Sequence, residues 1–139
     1  MRKIIYLFVM AMMISGCVTT MSDIITPNRE GLLKLSVGIT KEEALNIMPK
    51  GKGTVVPFAG VYTGLIGRGM TINNPYRSEI LQGKDKTFEV IYYVTDIKTS
   101  ESVVTDDDLT PLIFDNGKLI GWGWSFFKDN VQKYEIRIR

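Results

Sequence analysis

The sequence predicts an α+β fold in which two short helices near the amino terminus pack on an antiparallel β-sheet of about four to five strands. Residues 27–48 contain helix-start signals followed by apolar residues at helical spacing. From residue 76 onward, apolar residues instead tend to alternate with polar ones, which is the period of β-strands. The chain therefore divides into a helical part and a sheet-forming part.

The first sixteen residues are predicted to be a bacterial export signal. Arg2 and Lys3 supply positive charge, and residues 4–14 form an uncharged apolar stretch. A helix of that length covers only about 16 Å, whereas the hydrocarbon core of a bilayer is roughly 30 Å thick. A retained transmembrane helix is the poorer interpretation, so we expect residues 1–16 to be removed.

The apolar stretch ends in Ile14-Ser15-Gly16-Cys17, which resembles the lipobox of bacterial lipoproteins. The resemblance implies cleavage between Gly16 and Cys17 and attachment of lipid to the Cys17 thiol. Because Cys17 is the only cysteine, it cannot close an intramolecular disulfide, and lipidation accounts for a thiol that would otherwise be free. The alternative is an ordinary secretory signal followed by a buried cysteine.

Residues 17–26 are predicted to be a tether between the lipid and a single folded domain, residues 27–139. The nine residues 18–26 that follow Cys17 reach at most roughly 30 Å when extended, so the domain should stay close to the membrane. In many enteric-type bacteria, an aspartate directly after the lipidated cysteine resembles a signal for retention in the inner membrane. This sequence has Val18 at that position. We therefore expect an outer-membrane protein whose domain faces the periplasm.

The charge balance gives no sign of a nucleic-acid partner. The chain has 17 Lys and Arg residues against 15 Asp and Glu residues, and Arg2 and Lys3 leave with the signal. The remaining side chains carry no net charge and form no clustered basic face, which binding to nucleic acid requires.

The first helix is predicted to begin at Thr26-Pro27, because proline is favoured at the first helical position. Leu32, Leu33 and Leu35 would supply its apolar side, and Gly38 would stop it.

The second helix is predicted from Thr40-Lys41-Glu42-Glu43, which has the residues of a capping box. This helix should run to about Met48, before Pro49. The residues expected on its buried side are Ala44, Leu45, Ile47 and Met48.

Strands are predicted at residues 76–81 and 88–97. In the second of these, one side should carry Phe88, Val90, Tyr92 and Val94. The other side should carry Glu89, Ile91, Tyr93, Thr95 and Ile97.

A β-hairpin is the clearest element in the sequence. Residues 112–114 and 119–127 flank Asn116-Gly117, a pair that suits a type I′ turn. A two-residue turn should pair Asp115 with Lys118, Phe114 with Leu119 and Ile113 with Ile120. A last strand is predicted at residues 131–138, with Tyr134, Ile136 and Ile138 on one side. Its alternating charges would suit an exposed sheet edge.

Two short helices before an antiparallel sheet, on a lipid tether, resemble the SmpA/OmlA-type lipoproteins of outer-membrane β-barrel assembly. Residues 38–49 are similar to that family's Gly-Met-Thr-x-x-x-Val helix-start pattern. Residues 74–77 and 111–124 look more like uncharacterised bacterial lipoproteins of the same fold. The segment Gly51 to Asn73 is an insert relative to the assembly lipoproteins. The resemblance implies the fold only, because this sequence has no counterpart of that family's partner-binding segment.

Catalysis and cofactor binding find little support in the sequence. The chain contains no histidine, which removes the usual general base and the commonest metal ligand. Asp106-Asp107-Asp108 lacks the spacing of a calcium loop and is expected to be a solvated acidic loop. Residues 60–69 are glycine-rich but lack the Gly-Lys-Ser/Thr ending of a phosphate cradle. We therefore expect a non-enzyme that requires no metal or cofactor.

The predicted hairpin suggests a docking surface for another envelope protein. Side chains alternate across a strand, so one face should carry Pro111, Ile113, Ile120, Trp122, Trp124 and Phe126. The two helices would cover the opposite, glycine-lined face and leave the tryptophans open. Two alternatives remain at this point: the insert Gly51 to Asn73 covers the tryptophans, or they belong to the core. A further alternative for the function is a carrier of a lipid or other small apolar ligand.

Overall fold

A computed structural model describes residues 22–55, 70–97 and 103–136. The predicted export signal, Cys17 and the glycine-rich residues 60–69 lie outside these ranges. The elements in chain order are helices and strands named α1 (Ser22–Leu32), α2 (Lys41–Ile47), β1 (Gly51–Val55), β2 (Met70–Asn74), β3 (Arg77–Gln82), β4 (Thr87–Val94), β5 (Leu109–Asp115), β6 (Lys118–Trp122) and α3 (Trp124–Lys133), with a 3₁₀ turn at Asp106–Asp108.

The strands form two antiparallel sheets. One has four strands in the order β3-β4-β5-β6, and the other is a ribbon of β1 and β2. The predicted α+β class is confirmed. The prediction of two helices on one sheet is incomplete, because the described part of the chain also contains α3 and the β1–β2 ribbon.

β4 lies inside the four-stranded sheet and is buried on both sides. As predicted, Phe88 and Tyr92 point to one face of the sheet, and Ile91 and Tyr93 point to the other. All four side chains are at most 3% exposed. A strand with two apolar sides needs a covering layer on each face.

Different elements provide the two covering layers. The α2 face of the sheet packs against Leu35, Ala44 and Met48, which lie in α2 and the segments beside it. The opposite face, the α3 face, packs against Ile24 of α1, Ile72 of β2 and residues of α3. The sheet is therefore a middle layer, not the outer layer of a two-layer domain.

The predicted capping box of α2 is confirmed. The Thr40 hydroxyl accepts a hydrogen bond from the Glu43 amide at 3.2 Å, and the Thr40 amide donates to Glu43 Oε2 at 2.8 Å. These hydrogen bonds to Thr40 lower the pKa of Glu43. Ala44 and Met48 are buried as expected, whereas Ile47 is 36% exposed, so its place on the buried side was wrong.

The predicted start of the first helix was wrong. α1 begins at Ser22 and contains Pro27, so residues 22–26 belong to a helix and not to the tether. The side chains of Ile24 and Asn28 are buried at helical spacing, together with Gly31. Packing of this stripe outweighs the cost of an internal proline, about 3 kcal/mol.

The predicted hairpin turn is confirmed. Asn116 and Gly117 both have positive φ, 50° and 73°, as a type I′ turn requires. Asp115 pairs with Lys118 and Phe114 with Leu119, in the expected register.

Beyond Leu119 the predicted register was wrong. Ile113 pairs with Gly121, not with Ile120, because a β-bulge adds one residue to β6. The Phe126 ring lies over Gly121, where a Cβ atom would come within 2.7 Å of its carbons. The bulge turns Trp122 to the α2 face.

The strands predicted at residues 119–127 and 131–138 were also partly wrong, because the chain is helical from Trp124 to Lys133. Gly123, with φ of 88°, redirects the chain after β6. Trp124, Phe127 and Val131 have helical spacing and pack on the α3 face. The apolar face of α3 supplies the layer that the two-layer prediction lacked. Residues 137–139, including Ile138, lie outside the described ranges.

Asn28 joins α1 to the end of the sheet. It is fully buried, donates to the Val94 carbonyl at 2.7 Å and exchanges two amide hydrogen bonds of 3.0 Å with Asn74. These hydrogen bonds hold α1 against the end of β4 and against Asn74, the last residue of β2.

Replacing Asn28 with alanine should lower the free energy of unfolding by about 2–4 kcal/mol, because it removes hydrogen bonds from the buried Val94 carbonyl and the part-buried Asn74. Asn46→Ala, on the exposed side of α2, is the control and should change it by less than about 0.5 kcal/mol. Urea unfolding followed by circular dichroism measures both variants. Equal stability of the two would contradict the role given to Asn28.

Candidate functional site

The six residues of the predicted docking face do not form one open surface. Pro111 and Ile113 are buried. Three of the others pack against the core on the α3 face, namely Ile120, Trp124 and Phe126. Trp122 instead packs against the core on the α2 face. Five of the six therefore lie on one face of the sheet, as predicted, but that face is covered by α3, and the β-bulge places Trp122 on the other face.

Trp124 is part of the packed α3 face. Its indole N–H donates to the Leu109 carbonyl at 2.6 Å. Its ring lies 5.4 Å from the Phe127 ring in an edge-to-face arrangement and 6.1 Å from the Tyr92 ring. These contacts pack the partly buried Trp124 against the core on the α3 face.

Trp122 lies at an apolar depression on the other side of the sheet. This surface, the Trp122 patch, consists of Arg29, Leu32, Leu33 and Trp122, which line a depression of about 550 Å³. Leu32 and Trp122 are half-buried, but Leu33 is 87% exposed. Val37, in the segment between α1 and α2, is also 66% exposed. Leucine and tryptophan side chains are thus presented together at the surface.

The polar rim of the Trp122 patch is held in place by Arg29. Its Nε donates to the Thr95 carbonyl at 2.6 Å, and its Nη2 lies 3.3 Å from the Asp96 carboxylate. Arg29 thus places a polar group beside the apolar depression, as at the polar rim of protein interfaces.

The sequence prediction included Trp122 but missed the rest of the patch. Leu33 was assigned to the buried side of the first helix, yet it follows the last residue of α1. The available signal was the density of apolar residues at 32–37, which includes Leu32, Leu33, Leu35 and Val37. A single helix face cannot bury neighbouring residues such as Leu32 and Leu33 equally well.

Two of the three acidic residues at 106–108, Asp106 and Asp108, have structural partners. Asp108 is 1% exposed and accepts hydrogen bonds from the Thr105 amide and hydroxyl at 2.8 and 2.9 Å. Asp106 pairs with Arg77 at 2.8 Å. The expectation of a fully solvated loop was therefore wrong for Asp108. Within the described ranges, no three acidic, histidine or cysteine side chains come together as a metal site.

The two buried tyrosines of β4 are poor proton acceptors. Burial raises the pKa of Tyr92 to about 12, with a further contribution from the Glu79 carboxylate that its hydroxyl contacts at 3.2 Å. Burial alone raises the pKa of Tyr93 to about 12. Both hydroxyls therefore stay protonated at neutral pH, which is the wrong state for a general base.

Comparison with known proteins gives one similarity. Residues 70–129 match a family model described as "Protein of unknown function (DUF3192)". The matched region begins in β2, includes the four-stranded sheet and ends within α3. No curated protein and no solved structure matches the chain. Among the described residues, none of the helices has the length and apolar character needed to cross a membrane.

Replacing Trp124 with phenylalanine should lower the free energy of unfolding by about 1–3 kcal/mol, because it removes the hydrogen bond to the Leu109 carbonyl inside a packed region. Trp122→Phe is the matched control, since it deletes the same atoms on the opposite face of the sheet, and should cost less than about 1 kcal/mol. Chemical unfolding gives both values. A larger loss for Trp122→Phe would contradict the assignment of Trp124 to the core and Trp122 to the surface.

Proposed function

We propose that this chain is a lipid-anchored protein of the bacterial cell envelope. In this proposal residues 1–16 are removed, lipid on Cys17 holds the protein in the outer membrane, and the domain faces the periplasm. The support comes from the sequence: the positive residues, the apolar stretch and the lipobox occur in the required order. Val18 favours the outer membrane over the inner one.

The position of α1 bears on this anchoring. Because α1 begins at Ser22, only residues 18–21 separate it from Cys17. An extended chain from Cys17 to Ser22 spans at most roughly 17 Å, which is shorter than the tether expected from the sequence. Lipid on Cys17 would therefore hold α1, and the Trp122 patch at its other end, near the membrane surface.

The protein acts in this proposal as a non-catalytic docking module for another envelope protein. The observation that carries the proposal is the exposed Leu33 beside the half-buried Trp122. Tryptophan is among the residues that dominate binding at protein interfaces, and removal of such an anchor typically costs 2 kcal/mol or more. Burial of Leu33 and Trp122 against a partner would remove apolar surface from water.

A non-catalytic role also agrees with how the described carboxylates are used. Glu43 caps α2, Glu89 pairs with Lys41 at 2.7 Å, and Asp108 accepts a hydrogen bond from the Thr105 amide. Each has a structural partner that accounts for its position. With no histidine in the chain, these groups offer no evident acid–base pair.

The second candidate function is transport of a lipid or other small apolar ligand. The 550 Å³ depression of the Trp122 patch has a suitable volume and an apolar lining. Carrier sites normally enclose most of the ligand surface, whereas the high exposure of Leu33 would leave a ligand open to water. Docking of a protein therefore fits this surface better. The resemblance to SmpA/OmlA-type lipoproteins supports the envelope location but does not identify the partner.

Replacing Cys17 with serine should abolish lipid attachment and leave the signal uncleaved, because the cysteine thiol is the acceptor in the proposed processing. Cells fed a radioactive fatty acid should label the unchanged protein and the control Val18→Ala, but not the variant. Undiminished label in Cys17→Ser would overturn the anchoring proposal.

A photoreactive amino acid at position 33 should crosslink in cells to one specific envelope protein, because this side chain lies at the centre of the proposed contact. The same amino acid at Lys128, on the exposed side of α3, is the control and should give no such product. Trp122→Ala should reduce the product from position 33 by roughly tenfold or more.

The stability of the domain separates docking from folding. Leu33→Asp should leave the melting temperature unchanged, because the side chain is 87% exposed. It should also abolish a crosslink made from position 122. A destabilised Leu33→Asp, or equal crosslinking from position 128, would contradict the docking role. Binding of an apolar fluorescent probe without any protein crosslink would favour the carrier.

A further inference from the structure

The two edges of the four-stranded sheet differ in how they are protected. At the β6 edge, the segment between α1 and α2 forms backbone hydrogen bonds: Gly38 donates to the Leu119 carbonyl at 2.7 Å, and Leu119 donates to the Ile39 carbonyl at 2.9 Å. Thr40 adds a β-bridge to Lys118. At the other edge, no strand within residues 22–55, 70–97 and 103–136 pairs with the outer side of β3.

The side chains of β3 give this edge little protection against another strand. Its two charged residues, Arg77 and Glu79, lie on the α3 face, where Arg77 pairs with both Glu79 and Asp106. On the α2 face the strand carries Ser78, Ile80 and Gln82, all uncharged. Ile80 is 73% exposed near the middle of the strand. Natural sheet edges are usually protected by charged side chains, a proline or a bulge, and β3 carries none of these on its α2 face.

The backbone groups of an unpaired sheet edge are best satisfied by another extended strand. Outward N–H and C=O groups alternate along an extended strand, and another extended strand satisfies them in register. We propose that β3 pairs antiparallel with β3 of a second copy of this chain, which joins two four-stranded sheets into one sheet of eight strands. The pairing is centred on Ile80, so the two Ile80 side chains lie opposite each other.

The register follows from symmetry and charge. In a two-fold antiparallel pair, residues opposite each other share a face, so the axis passes beside one residue of β3. An axis at Glu79 would place two carboxylates opposite each other, which is unfavourable. An axis at Ser78 would oppose Ile80 to Tyr76, which lies before the strand. An axis at Ile80 pairs residues 78–82 within β3 and buries an exposed isoleucine against its copy.

Cysteine scanning in the full chain tests this pairing directly, because Cys17 is the only natural cysteine. Ser78, Glu79 and Ile80 are each replaced by cysteine, and isolated membranes are oxidised mildly before separation on a non-reducing gel. Ile80→Cys should form a disulfide-linked dimer at least ten times more efficiently than Lys34→Cys, an exposed control at the other side of the domain. Only a residue beside the two-fold axis meets its own copy.

Several outcomes would overturn the inference: no excess of Ile80→Cys dimer over the control, a maximum at Ser78 or Glu79, or a conjugate to a different protein. The unchanged chain checks the anchoring proposal separately, since a dimer formed through Cys17 would show that this thiol carries no lipid. In a second measurement, Ile80→Lys should reduce chemically crosslinked dimer at least tenfold. Ile47→Lys, on the exposed side of α2, should not reduce it. Equal effects of the two would also reject the β3 pairing.

Discussion

The two-sided burial of β4 is the constraint on which the rest of the structure depends. Phe88 and Tyr92 on one face, and Ile91 and Tyr93 on the other, all require cover. Residues between α1 and β1 cover one face, and the carboxyl-terminal helix, the start of α1 and the β1–β2 ribbon cover the other. The domain therefore has two apolar clusters, one on each face of the sheet.

Features set by neighbouring residues could be predicted from the sequence, and features set by distant packing could not. The capping box at Thr40 and the Asn116-Gly117 turn each depend on a few adjacent residues, and both are present. Residues 124–136 fit both a strand and a helix period, and contact with the α3 face selects the helix. The early start of α1 is likewise explained by distant packing, since Ile24 is buried in the apolar cluster on the α3 face.

The positions of the two tryptophans in the candidate site could not be predicted from the sequence either. Strict alternation from the turn placed Trp122 and Trp124 on one face, but the bulge after Leu119 and the glycine before α3 separate them. Trp122 at β6 and Ile80 at β3 lie on opposite edges of the sheet, roughly 14 Å apart across three strand spacings. The Trp122 patch and the proposed β3 contact are therefore separate surfaces of the domain.

We propose that the Trp122 patch is the surface that meets a partner in the envelope. Hydrogen–deuterium exchange of the full chain in native membranes, compared with the purified chain in detergent, tests this without any substitution. Exchange at backbone amides of residues 33–37 should be slower in native membranes, with little change in α3. Unchanged exchange at residues 33–37, together with new protection of α3, would place the contact on the opposite face of the sheet and rule out docking at the Trp122 patch.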